Sequence, residues 1–169
     1  MNQTTPDHVP FSAEMQAQFA REVAKFPSAH AQSAVMACLS IIQNERGWVS
    51  RAAEDELAAY LGMAPIAVYE VTTFYNMYNQ TPVGKYKINV CTNLPCQLRD
   101  GQAALAHICR KLDVAVGGTT ADGQFTVQQS ECLGACADAP VMLVNDREMI
   151  SFMSNDRIDD LLATLAQAK

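Results

Sequence analysis

The sequence predicts an α+β protein in two parts, a helical segment over residues 11 to 80 and a small sheet domain over residues 81 to 169, on three observations. Apolar residues recur at helical spacing from Ser12 to about Met77. Near Pro82 and Gly84 the period changes to the alternation of a strand, KYKINV, Lys85 to Val90. Four of the six cysteines then fall in two close pairs, each directly after a strand-like run.

Taken in order, residues 1 to 10 are polar, carry two prolines and read as a flexible N-terminus. A first helix starts at Ser12 and places Met15, Phe19, Val23 and Phe26 on one face before Pro27 stops it. A second is expected from about Ala29 to Glu45, with Val35, Cys38, Leu39 and Ile42 inward and Gly47 as its exit. Ser50 caps a third, which carries Leu57 and Leu61 and ends at Gly62. Pro65 opens a fourth, predicted to run through Tyr69 and Thr73 toward Met77.

In the second part, the strand Lys85–Val90 leads into Cys91. Leu105, Ile108, Cys109 and Leu112 mark a helix between about Leu98 and Leu112. FTVQQS, Phe125 to Ser130, is a second strand leading into Cys132. VMLV and REMI flank Asn145-Asp146, which predicts a hairpin with a two-residue link. Ser154 or Asn155 caps a last helix with Ile158, Leu161, Leu162 and Leu165 buried. The four strands make a mixed sheet if the first two run parallel.

Composition narrows the function. The chain has 169 residues, 49% hydrophobic and 18% charged, which suffices for a core and shows no sign of disorder. The net charge is -6, and neither half is basic, so electrostatic capture by nucleic acid or an anionic membrane is not expected. The longest apolar stretch, Ala34 to Ile42, is too short to span a bilayer, and the N-terminus does not read as a secretory signal. A cytoplasmic protein with reduced thiols is expected. Six cysteines there point to metal or redox chemistry rather than disulfides.

The quartet is Cys91 and Cys96 in C-x4-C, then 35 residues, then Cys132 and Cys136 in C-x3-C. Parallel neighbouring strands would carry both following loops to one sheet edge, where four thiolates need cations to hold them together. Spacing does not choose the metal, because an iron-sulfur cluster and a structural zinc ion fit equally, and buried or redox-reactive thiols remain open. A thiol redox enzyme would use C-x-x-C, unlike either pair. His8, His30 and His107 lie far from the quartet, against a site of mixed histidine and cysteine ligands. Cys38 and Cys109, on apolar helix faces, read as packing.

Elsewhere there is no P-loop, no G-x-G-x-x-G and no G-x-S-x-G, so neither nucleotide binding nor hydrolysis is expected of this chain, and no catalytic residue is assigned. Glu54 to Thr72 has a helix-turn-helix look. Its second helix lacks Lys and Arg and carries Glu70, so a plain helical hairpin is the better reading. The run TTFYNMY offers Phe74, Tyr75 and Tyr78 as an aromatic set for a partner.

TTFYNMYNQTPVGKYKINVCTNLPC and TTADGQFTVQQSECLGACADAPVMLVND closely resemble the small [2Fe-2S] subunits of NADH:quinone oxidoreductases, the respiratory complex I enzymes. The resemblance extends from about Phe11 to the last helix. It implies a helical bundle followed by a thioredoxin-like ferredoxin domain with a four-stranded mixed sheet. It implies iron rather than zinc, as one [2Fe-2S] cluster on Cys91, Cys96, Cys132 and Cys136. It also implies a neighbouring flavoprotein that binds NADH and FMN and passes single electrons to that cluster, other peripheral-arm subunits, and attachment at the inner face of the membrane through the assembled complex. Related small subunits serve NAD-linked formate dehydrogenases and NAD-reducing hydrogenases; a reading from another class is a zinc-stabilised interaction module.

Overall fold

The computed structural model describes residues 10 to 168, so the N-terminal stretch expected to be flexible lies outside the described residues except for Pro10. The chain divides into two compact units, one up to Pro82 and one from Val83.

The first unit is helical. Helix α1 (Ala13–Val23) begins at Ser12, whose hydroxyl accepts the Met15 N–H. The helix expected from Ala29 opens instead as a 3-10 turn, Ser28–Ala34, with His30 out of helical geometry, and becomes α2 (Val35–Arg46) only where the apolar run starts. Helix α3 (Arg51–Leu61) is capped by Ser50 and stopped by Gly62 at φ 66°, a left-handed conformation glycine adopts without strain. Helix α4 (Pro65–Phe74) has proline in its first turn. Met15, Phe19, Cys38, Leu39, Ile42, Leu57, Ala58 and Val68 fill the core. Each large side chain buried this way contributes about 1.5–3 kcal/mol. At its polar point, buried Glu54 accepts from Thr72 Oγ1 and from Arg51 Nη1.

Two expectations for this unit are corrected. Helix α4 stops at Phe74 rather than near Met77, because the next residues are captured by α2: Gln43 Nε2 donates to Met77 O at 2.8 Å, and Asn79 N donates to Gln43 Oε1 at 2.6 Å. The same turn carries Tyr78 inward, 6% exposed, with its hydroxyl donating to Met36 O. Tyr78 is therefore core and not part of a partner-facing set. Phe74, 80% exposed, and Tyr75, 40% exposed, stay outside.

The second unit is a four-stranded mixed sheet of order β2-β1-β3-β4, with β1 Tyr86–Cys91, β2 Phe125–Ser130, β3 Met142–Val144 and β4 Glu148–Ile150. Strands β1 and β2 run parallel in the register Tyr86↔Phe125 through Cys91↔Ser130, while β3 lies antiparallel to β1 and to β4. Between β1 and β2 come α5 (Leu94–Gln97), a short helix not anticipated from the sequence, and α6 (Gly101–Leu112). Helix α7 (Asn155–Gln167) is capped by Ser154. Ile88, Val90, Val127 and Met142 pack against Leu105 and Ile108 of α6 and Ile158 and Leu162 of α7.

The β3–β4 link is three residues, Asn145–Arg147, since Val144 pairs with Glu148. Asn145 and Asp146 both take positive φ, and they tie the turn to β1: Lys87 N donates to Asn145 Oδ1 at 2.7 Å, and Asn89 Nδ2 donates to Asp146 Oδ1 at 2.9 Å. Buried Lys87 is paired with Asp146. Among the described residues, no helix is long and apolar enough to cross a membrane.

Candidate metal centre

The parallel register decides at which end of the sheet the cysteine pairs lie. Because Cys91 stands opposite Ser130, the chains leaving β1 and β2 start from one sheet edge, and Cys132 follows two residues after Ser130. The end of β1 is held on both sides: Cys91 N donates to Val141 O at 3.1 Å and Thr92 N to Ser130 O at 3.0 Å. Cys91 Sγ donates to Glu131 O at 2.9 Å, which links the first pair to the loop of the second. Cys96 sits on α5, which starts after Asn93 with Pro95 in its first turn.

The pairs occupy different surroundings. Cys91 and Cys96, 2% and 1% exposed, form a small buried cluster with Ala139 and Val141, flanked by Leu133 and Ala135. Cys132 and Cys136 are exposed, on the loop between β2 and a 3-10 turn at Cys136–Asp138. Gly134, at φ 82°, turns that loop so that its N–H donates to Cys132 Sγ at 3.4 Å.

Burial and the nearness of other sulfurs together shift the thiols. Burial pushes the Cys96 pKa up and the Val141 N–H works against that, while Cys91 and Cys136 reinforce it. The Cys136 pKa is raised chiefly by its hydrogen bond with Cys132, then by burial and by the nearby Cys132 and Cys91 thiols. Each pair therefore lies within the field of the other. Thiolates at such a place repel one another, and a bound cation reverses the balance.

Cys132 Sγ and Cys136 Sγ are 3.8 Å apart. Two thiolates on one tetrahedral ion at about 2.3 Å each stand about 3.8 Å from one another, so this pair already has the separation that sharing one metal ion demands. Four thiol donors suit a [2Fe-2S] cluster without any histidine. Among the described residues, no group of three or more His, Cys, Asp or Glu side chains stands in ion-binding geometry.

The remaining residues take ordinary roles. Cys38 is fully buried among α1, α2 and α3 side chains, and Cys109 is partly buried against the sheet core. Glu131 accepts from Asn93 Nδ2, and Asp138 accepts from Ser151 Oγ through its side chain and from Phe152 N through its carbonyl. Both carboxylates are thus tied into the loops around the quartet. The roles of Val141 and Asn93 were not visible in the sequence, since a backbone amide aimed at sulfur and a loop-to-loop hydrogen bond leave no motif.

Residues 19–166 match the family model described as thioredoxin-like [2Fe-2S] ferredoxin. The chain is 40% identical over 144 residues to NADH dehydrogenase [ubiquinone] flavoprotein 2, mitochondrial, of Dictyostelium discoideum, covering 83% of this chain and 58% of that protein. It is 36% identical to an NADH-quinone oxidoreductase subunit of Rhizobium meliloti, covering 92% of this chain and 90% of that one. Among solved structures it resembles an NAD+-reducing [NiFe]-hydrogenase in the H2-reduced state, with a TM-score of 0.66 and 26% identity, covering 78% of this chain and 22% of that chain. The chain thus spans little more than half of the Dictyostelium relative and under a quarter of the hydrogenase chain.

Proposed function

This chain belongs to the thioredoxin-like [2Fe-2S] ferredoxin family, and on that premise we propose that it is the small electron-transfer subunit of an NADH-quinone oxidoreductase. In this reading Cys91, Cys96, Cys132 and Cys136 hold one [2Fe-2S] cluster. The observation that carries it is the delivery of both thiol pairs to one edge of the sheet by the parallel β1–β2 pairing, with Cys132 and Cys136 at a single-ion separation.

When bound, the cluster supplies a centre that takes up and gives back one electron. The chain's own groups shape that exchange. Ala139 and Val141 keep water from the Cys91 and Cys96 side, and the N–H groups of Val141 and Gly134 point at Cys96 and Cys132 sulfur, where they favour negative charge. All-thiolate ligation would oppose added electrons and give the cluster a low potential, and Glu131 and Asp138, which flank the second pair in the chain, would add to that if their charge faced it. The exposed second pair is the side open to an electron donor.

The donor is a flavoprotein subunit that carries FMN and oxidises NADH, since this chain has no phosphate-cradling glycine loop of its own. Phe74 and Tyr75 are its contact on the helical unit. Helix α4 is apolar on most sides but buries only Val68 and Thr72, and Ile66 and Tyr69 are also exposed, which supports a surface completed by another subunit. The assembly attaches the chain to the cytoplasmic face of a membrane. A related small subunit of an NAD-reducing hydrogenase is a second reading, favoured by the structural likeness at TM-score 0.66. Higher identity and nearly full mutual coverage favour the quinone-linked enzyme.

Isolation of the native chain with its bound proteins tests this. It is expected to arrive with an FMN-containing subunit, NADH is expected to bleach its visible absorbance, and Phe74→Glu is expected to weaken the association about tenfold or more without loss of iron. A chain that isolates alone, or whose absorbance NADH leaves unchanged, contradicts the assignment.

A further inference from the structure

Helix α6 begins in contact with the backbone of the first cysteine pair. A Cβ at Gly101 would stand 2.8 Å from the carbonyl oxygen of Cys96 and 2.9 Å from that of Cys91. Carbon and oxygen approach comfortably only to about 3.3–3.6 Å, so a hydrogen is all that fits. Gly101 is not in the left-handed region, so space and not conformational freedom demands glycine. Both crowding atoms belong to main chain, which cannot rotate aside. They also come from different elements, Cys91 ending β1 and Cys96 on α5. The preceding Asp100 takes φ 65°, a costly conformation for a residue with a side chain, as the chain turns from α5 into α6.

We propose that Gly101 is a positioning residue for the metal centre, fixing the separation of Cys91 and Cys96 by admitting the first turn of α6 against both carbonyls. This rests on the assignment of those cysteines to the cluster. A methyl group must displace one or both carbonyls by about half an ångström. Ligand distances at a metal site tolerate only about 0.2 Å. The displacement exceeds the tolerance at the first pair, and no atom of Cys132 or Cys136 is among those a Cβ at Gly101 would crowd most closely.

Gly84 provides the comparison. A Cβ there would stand 2.9 Å from Gln124 C and from Phe125 N, an equally severe backbone clash, but at the opposite end of β1 from Cys91. Full-length wild type, Gly101→Ala and Gly84→Ala are purified with iron, and thermal stability, iron loss to a chelator, visible circular dichroism and midpoint potential are measured. Both variants are expected to melt at lower temperature. Gly101→Ala alone is expected to lose iron about tenfold faster and to shift the dichroism and the potential. If Gly101→Ala is insoluble, the double variant Asp100→Gly/Gly101→Ala, with a freed hinge before α6, is expected to fold and show the same changes. Wild-type spectra and iron retention in the alanine variant, or equal changes in Gly84→Ala, overturn the positioning role. Absence of iron from wild type overturns the cluster assignment itself.

Discussion

The two cysteine pairs proposed as ligands present the same side chain in opposite settings. Cys91 and Cys96 are buried, carried on a strand end and a short helix, and backed by Val141 and the start of α6. Cys132 and Cys136 are exposed on an irregular loop whose geometry comes from within, through Gly134 and their own contact. Their two glycines differ likewise. Gly101 is required for space, whereas Gly134 has nothing near its Cβ position and is required for its φ of 82°. The fold sets the first pair in place, while local turn chemistry sets the second; four equal donors need not be equally supported.

The largest effect separates the pairs by mutation. Cys96→Ser and Cys132→Ser are both expected to abolish the visible absorbance of the cluster. In the metal-free chain, Cys96→Ser is expected to cost about 1 to 3 kcal/mol, because a hydroxyl replaces a buried sulfur, whereas Cys132→Ser stays within about 0.5 kcal/mol. Denaturant unfolding of both apoproteins checks this, and equal losses break the contrast.

A third kind of cysteine sharpens the comparison. Cys38 is fully buried and stands outside the proposed quartet, and burial, with Glu22 adding to it, pushes its pKa up from 9.0 to about 11. The folded state therefore keeps the proton after the unfolded chain has lost it. The contribution is complete below pH 9 and fades as pH rises toward 11, by up to about 2 to 3 kcal/mol. In Cys38→Ala that part of the alkaline decline should vanish when stability is followed against pH; an unchanged slope assigns the decline to other groups.

Much of this was legible in the sequence where a pattern repeats. The alternation KYKINV located β1, and the caps Ser12, Ser50 and Ser154 each accept the N–H three residues on. Legibility failed where tertiary contacts override local signals. Over seven residues broken at His30, i,i+3 and i,i+4 spacings are hard to tell apart, so the 3-10 opening at Ser28–Ala34 reads as helix in the sequence. The run from Phe74 to Tyr78 counts as helical, but Gln43, more than thirty residues away, takes up Met77 and Asn79 and turns Tyr78 into the core. The crowding at Gly101 appears only once β1, α5 and α6 are assembled. Spacing of the quartet pointed to a metal but could not choose iron over zinc, a choice that rests on family membership.

Quantifying iron, acid-labile sulfide and zinc in the chain purified without oxygen tests whether these four cysteines hold one [2Fe-2S] cluster. About two irons and two sulfides per chain are expected. One zinc per chain with no sulfide contradicts it.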